Sequence, residues 1–97
     1  MERSLEQLIM ERIERPGWVS TRGILHDPGA QLDSEEHRKA EAAMRKLAQE
    51  GRVTLWRLII EERNEELLVA ARPGFELDKD LEERGAWAKA VRYQPES

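Results

Sequence analysis

The sequence predicts an α+β domain: three helices, a two-stranded antiparallel hairpin and an added helical segment at the C-terminus. Three observations carry this. Between residues 34 and 50, apolar residues recur at helical spacing behind a capping signal. After Gly51 the pattern changes to a dense run of β-branched, aromatic and aliphatic residues from Val53 to Ile60, which favours strand. Pro16-Gly17, Asp27-Pro28-Gly29 and Pro73-Gly74 punctuate the chain where one element has to stop.

The first helix is expected over residues 4–14. Ser4 is its N-cap and Gln7, three residues on, completes a capping box. Leu5, Leu8, Ile9 and Ile13 form the buried stripe, with Met10 at its edge. Glu2 and Glu6 sit where the helix dipole favours anions, and Arg12 and Arg15 where it favours cations. Trp18-Val19 form a short apolar bridge able to make a small first strand. Ser20 is a good N-cap for a short second helix over 21–26. Gly23 weakens that helix by roughly 1 kcal/mol relative to Ala, and Ile24 and Leu25 face inward.

The third helix covers residues 34–50. Asp33 is read as its cap, with Glu36 reaching back to complete a second box. Ala40, Ala43, Met44, Leu47 and Ala48 make a narrow apolar face. The opposite arc holds Glu35, Arg38, Ala42, Arg45 and Gln49. Lys39 and Lys46 flank it on one side, Glu41 and Arg52 on the other. Gly51 ends the helix. Hairpin strands are expected over 53–61 and 66–72, with a tip at Arg63-Asn64, because Asn tolerates a left-handed turn conformation. Val53, Leu55 and Ile59 lie on one face of the first strand, and Trp56, Leu58 and Ile60 on the other. A surface hairpin would alternate cleanly, so both faces are expected to be covered at the base.

After Pro73-Gly74, Phe75 and Leu77 lead into a helical segment over 78–91. Its apolar residues are Leu81, Ala88 and Val91, with Trp87 beside them, and Gly85 is placed to break it in two. This segment can cover the second hairpin face within the chain, or it can pack on a partner subunit. Residues 94–97 are expected to fray.

The stretch KAEAAMRKLAQEGRVTLWRL (39–58) resembles the third helix and first wing strand of winged helix-turn-helix domains, where a helix of the type ALRRLAEEGRV leads directly into a two-stranded wing. The resemblance covers about residues 4–75. It implies a winged helix-turn-helix domain over residues 1–75 and a C-terminal helical extension over 76–97 that is a candidate dimerisation element. One departure stands out: the 27–32 connection is longer than the turn of about 3–4 residues in a tight helix-turn-helix.

Composition narrows the function. A length of 97 residues allows one domain and leaves no room for a second core. Trp18, Trp56 and Trp87 fall in separate segments and are expected to share a core cluster. With a net charge of −4, nucleic-acid binding has to use a local patch rather than an overall basic surface. The absence of cysteine excludes disulfide and thiolate chemistry and is compatible with a reducing compartment. No apolar run approaches the roughly 20 residues of a membrane helix. The start Met-Glu-Arg-Ser-Leu-Glu lacks the apolar core of a signal peptide, so a cytoplasmic protein is expected. His26 and His37 lie in different segments without metal-ligand spacing, no nucleophile is placed beside His26-Asp27, and no glycine-rich phosphate loop exists. No enzyme activity, catalytic residue, cofactor or metal is therefore expected.

Two functions remain open. In the first, a transcriptional regulator reads double-stranded DNA with helix 34–50. The resemblance implies that this helix enters the major groove, where Arg38 and Arg45 can pair with guanine and Gln49 with adenine. Lys39, Lys46 and Arg52 would meet phosphates, as would Ser20, Thr21 and Arg22. Leu81, Trp87 and Val91 would hold a dimer together. Against this, Glu35, Glu36, Glu41 and Glu50 offset the four basic residues of the same stretch, so the face can equally be a solvated one. The tip residues Glu61, Glu62, Glu65 and Glu66 would also be repelled by phosphate. In the second reading the domain binds protein: those four acids hold a basic partner, assisted by the apolar C-terminal segment.

Overall fold

Caps and glycines set the element ends in a computed structural model that describes residues 4–27 and 29–93; Glu2, Pro28 and residues 94–97 lie outside them. Helix α1 (Leu5–Glu14) starts with the expected capping box. Ser4 Oγ accepts from the Gln7 amide at 3.1 Å and Gln7 Oε1 accepts from the Ser4 amide at 3.0 Å. Strand β1 (Trp18–Ser20) follows, then a four-residue 3₁₀ turn, η1 (Thr21–Ile24). The expected second helix is thus a single tight turn, and the Ser20 side chain makes no cap hydrogen bond.

Helix α2 (Glu35–Gln49) is capped one residue later than expected. Ser34 Oγ, not Asp33, accepts the His37 amide at 3.2 Å. Glu36 is thereby released from the cap. Its carboxylate accepts the backbone N–H of His26 at 2.6 Å and of Asp27 at 3.4 Å, and so ties the start of the connection after η1 to α2. At the other end Gly51 takes φ +75°, with Arg52 N–H on Leu47 O and Gly51 N–H on Ala48 O. This is the Schellman closure that a left-handed residue permits.

Strands β2 (Thr54–Ile60) and β3 (Glu65–Ala71) form the hairpin around a second 3₁₀ turn, with Asn64 left-handed at φ 51°. The C-terminal segment departs from expectation. Helix α3 spans only Leu77–Glu83, and the second half is strand β4 (Lys89–Arg92), which pairs antiparallel with β2. Gly85, at φ +66°, closes α3 with Ala86 N–H on Leu81 O and Gly85 N–H on Glu82 O. The result is one four-stranded antiparallel sheet in the order β1-β3-β2-β4, so residues 76–93 complete the sheet rather than extend the domain.

Both sheet faces are covered. Ile9 and Ile13 of α1, Ile24 and Leu25, and Ala40, Met44 and Leu47 of α2 pack on Val53, Leu55, Leu68 and Ala70. On the other face Leu77 and Leu81 of α3 pack on Trp56, Leu58, Leu67, Val69 and Ala71. Leu81 is therefore a core residue, which removes it from the candidate dimer surface. Trp56 is buried and Trp18 packs against the same cluster, but Trp87 is 82 % exposed, so the three tryptophans do not share a cluster. No helix among the described residues is long and apolar enough to cross a membrane.

Gly17 joins the two layers. It has φ +128°, and a Cβ there would lie 2.7 Å from Cε2 of Phe75. Gly17→Ala is expected to cost about 1–3 kcal/mol through backbone strain and overpacking. Urea unfolding followed by tryptophan fluorescence measures it.

Candidate nucleic-acid interface

The apolar arc of α2 turns into the core, so the opposite arc is forced outward. Glu35, Arg38, Lys39, Ala42, Arg45, Lys46 and Gln49 are all exposed, and Arg52 beyond the helix end is exposed as well. The spacing of Arg38, Ala42, Arg45 and Gln49 places them along one stripe. Ala42 at its middle keeps the stripe low, so two long guanidinium side chains project past it.

The cations of this face differ in their partners. Lys39 pairs with Glu35 at 3.4 Å, Lys46 with Glu6 of α1 at 3.2 Å, and Arg52 with Glu50 at 3.6 Å. All three are solvated pairs, worth about 0–1 kcal/mol, which a phosphate can displace. Arg38 and Arg45 make no ion pair among the described residues. Arg45 borders an open cleft of about 200 Å³ that Glu41, Arg57, Glu66 and Tyr93 also line.

The second group of expected phosphate contacts is arranged differently. Thr21 is fully buried, and its Oγ1 lies 2.8 Å from His37 Nε2. It therefore locks η1 to the start of α2 and is not open to phosphate. Arg22 is half-buried and reaches Glu65 and the Ala30 carbonyl, both at 3.4 Å. Ser20 is half-buried in β1. The candidate interface thus narrows to α2 and its C-terminal corner.

The Thr21–His37 contact was not anticipated. His37 is only 2 % exposed. The signal was present, since His37 stands three residues before Ala40 and seven before Met44, on the apolar arc itself. Removing the hydroxyl while keeping the shape leaves the buried His37 Nε2 without its partner. Thr21→Val is expected to cost about 1–3 kcal/mol, read as a lower urea midpoint.

The acidic tip is largely neutralised by the chain. Glu61 pairs with Lys89 of β4 at 3.2 Å, Glu65 with Arg22 at 3.4 Å, and Glu66 with Arg57 of the facing strand. Glu62, beside Arg63, makes no ion pair among the described residues. The phosphate repulsion expected from four adjacent acids is reduced accordingly. Comparison with family models, with curated proteins and with solved structures finds no match.

Proposed function

We propose that the chain is a winged helix-turn-helix protein that binds double-stranded DNA, with α2 as the reading helix, and that it acts as a transcriptional regulator. The observation carrying this reading is the pair of exposed arginines, Arg38 and Arg45, without an ion pair among the described residues and in line with Gln49 on one helix face. Arg pairs bidentately with guanine and Gln with adenine, and both need an accessible, rigidly mounted helix. The mounting is supplied by the buried side of α2. Lys39, Lys46 and Arg52 border the stripe as exchangeable phosphate contacts. The order helix, short strand, turn, helix, hairpin, with β1 paired to β3, is compatible with the winged-helix arrangement.

Titration of a labelled random-sequence duplex, followed by fluorescence anisotropy at two salt concentrations, tests the proposal. Binding is expected at low salt and should weaken steeply as salt rises, because each phosphate contact releases counterions. No binding at low salt would reject it.

A second reading, a protein-interaction module, draws on a different observation. Trp87 and Val91 are 82 % and 50 % exposed on the C-terminal segment. The four tip acids support it less, since three of them already pair within the chain.

A further inference from the structure

Strand β4 is an edge of the sheet, with β2 as its one neighbour among the described residues. An open edge offers a row of backbone donors and acceptors to another chain. The ladder tells which groups these are. Tyr93 N–H donates to Leu55 O at 3.0 Å, and Tyr93 continues the β2–β4 register in which Arg57 faces Val91 and Ile59 faces Lys89. In an antiparallel pair the hydrogen-bonding direction alternates along the strand. Lys89, Val91 and Tyr93 therefore direct their backbone groups to β2, and Ala88, Ala90 and Arg92 direct theirs outward.

Side chains follow the same alternation. Tyr93 packs on the α2 side of the sheet, whereas Ala88 and Ala90 pack on the α3 side. This alternation puts Val91 on the α2 side next to the open edge, and Trp87, the other exposed apolar residue of the segment, stands at the bend that leads into β4.

We propose that β4 is a homodimer edge, where a second copy pairs its own β4 antiparallel about a two-fold axis at Ala90 and joins the two four-stranded sheets into one. The register is self-complementary. Ala90 faces Ala90 of the second copy across the outward hydrogen bonds, Lys89 faces Val91, and Ala88 faces Arg92. Just beyond the paired stretch, the exposed Trp87 at the bend before β4 comes beside Tyr93 of the second copy. The edge cations Lys89 and Arg92 never face each other, as they would if the axis lay at either of them, where like charges would oppose. Instead the Lys89 stem covers Val91 of the second copy while its ammonium stays in water. An axis at Val91 also separates the cations but takes Trp87 away from Tyr93 of the second copy. Two covered tryptophans supply roughly 300 Å² or more of the about 1,200 Å² of a small specific interface, so the dimer is concentration-dependent. The pairing rests on the edge geometry and stands whether or not the protein binds DNA.

Sedimentation of the full chain over a wide concentration range tests this, with Trp87 emission as a second readout. The expected result is a mass that doubles with concentration, accompanied by a blue shift of the tryptophan emission. Ala90→Pro should remain monomeric with an unchanged melt, because the N–H it loses points outward and not to β2. Should that variant not fold, Trp87→Glu with Val91→Glu changes exposed positions and should give the same monomer. Register is read by mixing Lys89→Cys and Val91→Cys chains, which have no other cysteine. Those positions form a close non-hydrogen-bonded pair in the dimer, within disulfide reach, so the mixed disulfide should dominate. A chain monomeric at every concentration, a dimer that survives both edge variants, or a dominant Val91→Cys self-disulfide would overturn the proposal.

Discussion

Arg38→Ala combined with Arg45→Ala is expected to weaken duplex DNA binding by roughly thirtyfold or more. Each bidentate contact to a base contributes about 1–3 kcal/mol, so losing both removes about 2 kcal/mol at the least. Fold stability should change by no more than about 0.5 kcal/mol, since both side chains are exposed and make no ion pair among the described residues. That combination, affinity lost and melt retained, separates a reading face from a structural one. Lys39→Ala should act differently: it lowers affinity on every sequence and flattens the salt dependence by about one phosphate's worth. Anisotropy titrations on the variants, paired with urea melts, distinguish these outcomes. Equal affinity for the wild type and the double variant would remove α2 from the binding face.

Leu47→Ala should produce the largest loss of stability, about 2–5 kcal/mol. Leu47 is completely buried where α2 meets the sheet, in one cluster with Ile9, Ile13, Val53 and Leu55. Truncation removes its transfer free energy and leaves a cavity between a helix and a sheet that cannot easily close around it. A domain of this size has a total stability of about 5–15 kcal/mol. The variant should therefore unfold at a markedly lower urea concentration. Because α2 would lose its anchor, DNA binding should fall too, but only where the variant is partly unfolded. Urea denaturation followed through the buried Trp56 reports the change. A shift below about 1 kcal/mol would mean that this helix is mounted some other way.

The features that depend on local pattern were legible, and those that depend on distant partners were not. The exposed stripe of α2 followed from a period of 3.6 alone, because Ala40, Met44 and Leu47 left no choice about which side turns in. Gly51 and Asn64 were readable because left-handed backbone has few residue solutions. The covering of both hairpin faces was implied by Trp56 and Leu58 standing opposite Leu55. Strand β4 lies where the sequence pattern points to helix. Four residues, Lys-Ala-Val-Arg, are too few for a period to separate the two, and the decisive clue was Gly85, which ends α3 rather than kinking it. The cap moved from Asp33 to Ser34 because two good capping residues stand side by side. Thr21 is buried by a histidine sixteen positions away, and three of the four tip acids are neutralised by Arg22, Arg57 and Lys89. No local signal announces such partners, since exposed and paired carboxylates read identically in sequence.

The most direct measurement of the binding face is an amide ¹H–¹⁵N titration of the protein with a short duplex at low salt. Shift changes are expected to concentrate on Arg38, Ala42, Arg45 and Gln49, to extend to Arg52, and to be small at the buried Thr21 and on α3. Changes confined to β4 and Trp87, or none at all at low salt, would contradict the assignment of α2 as the DNA-reading helix.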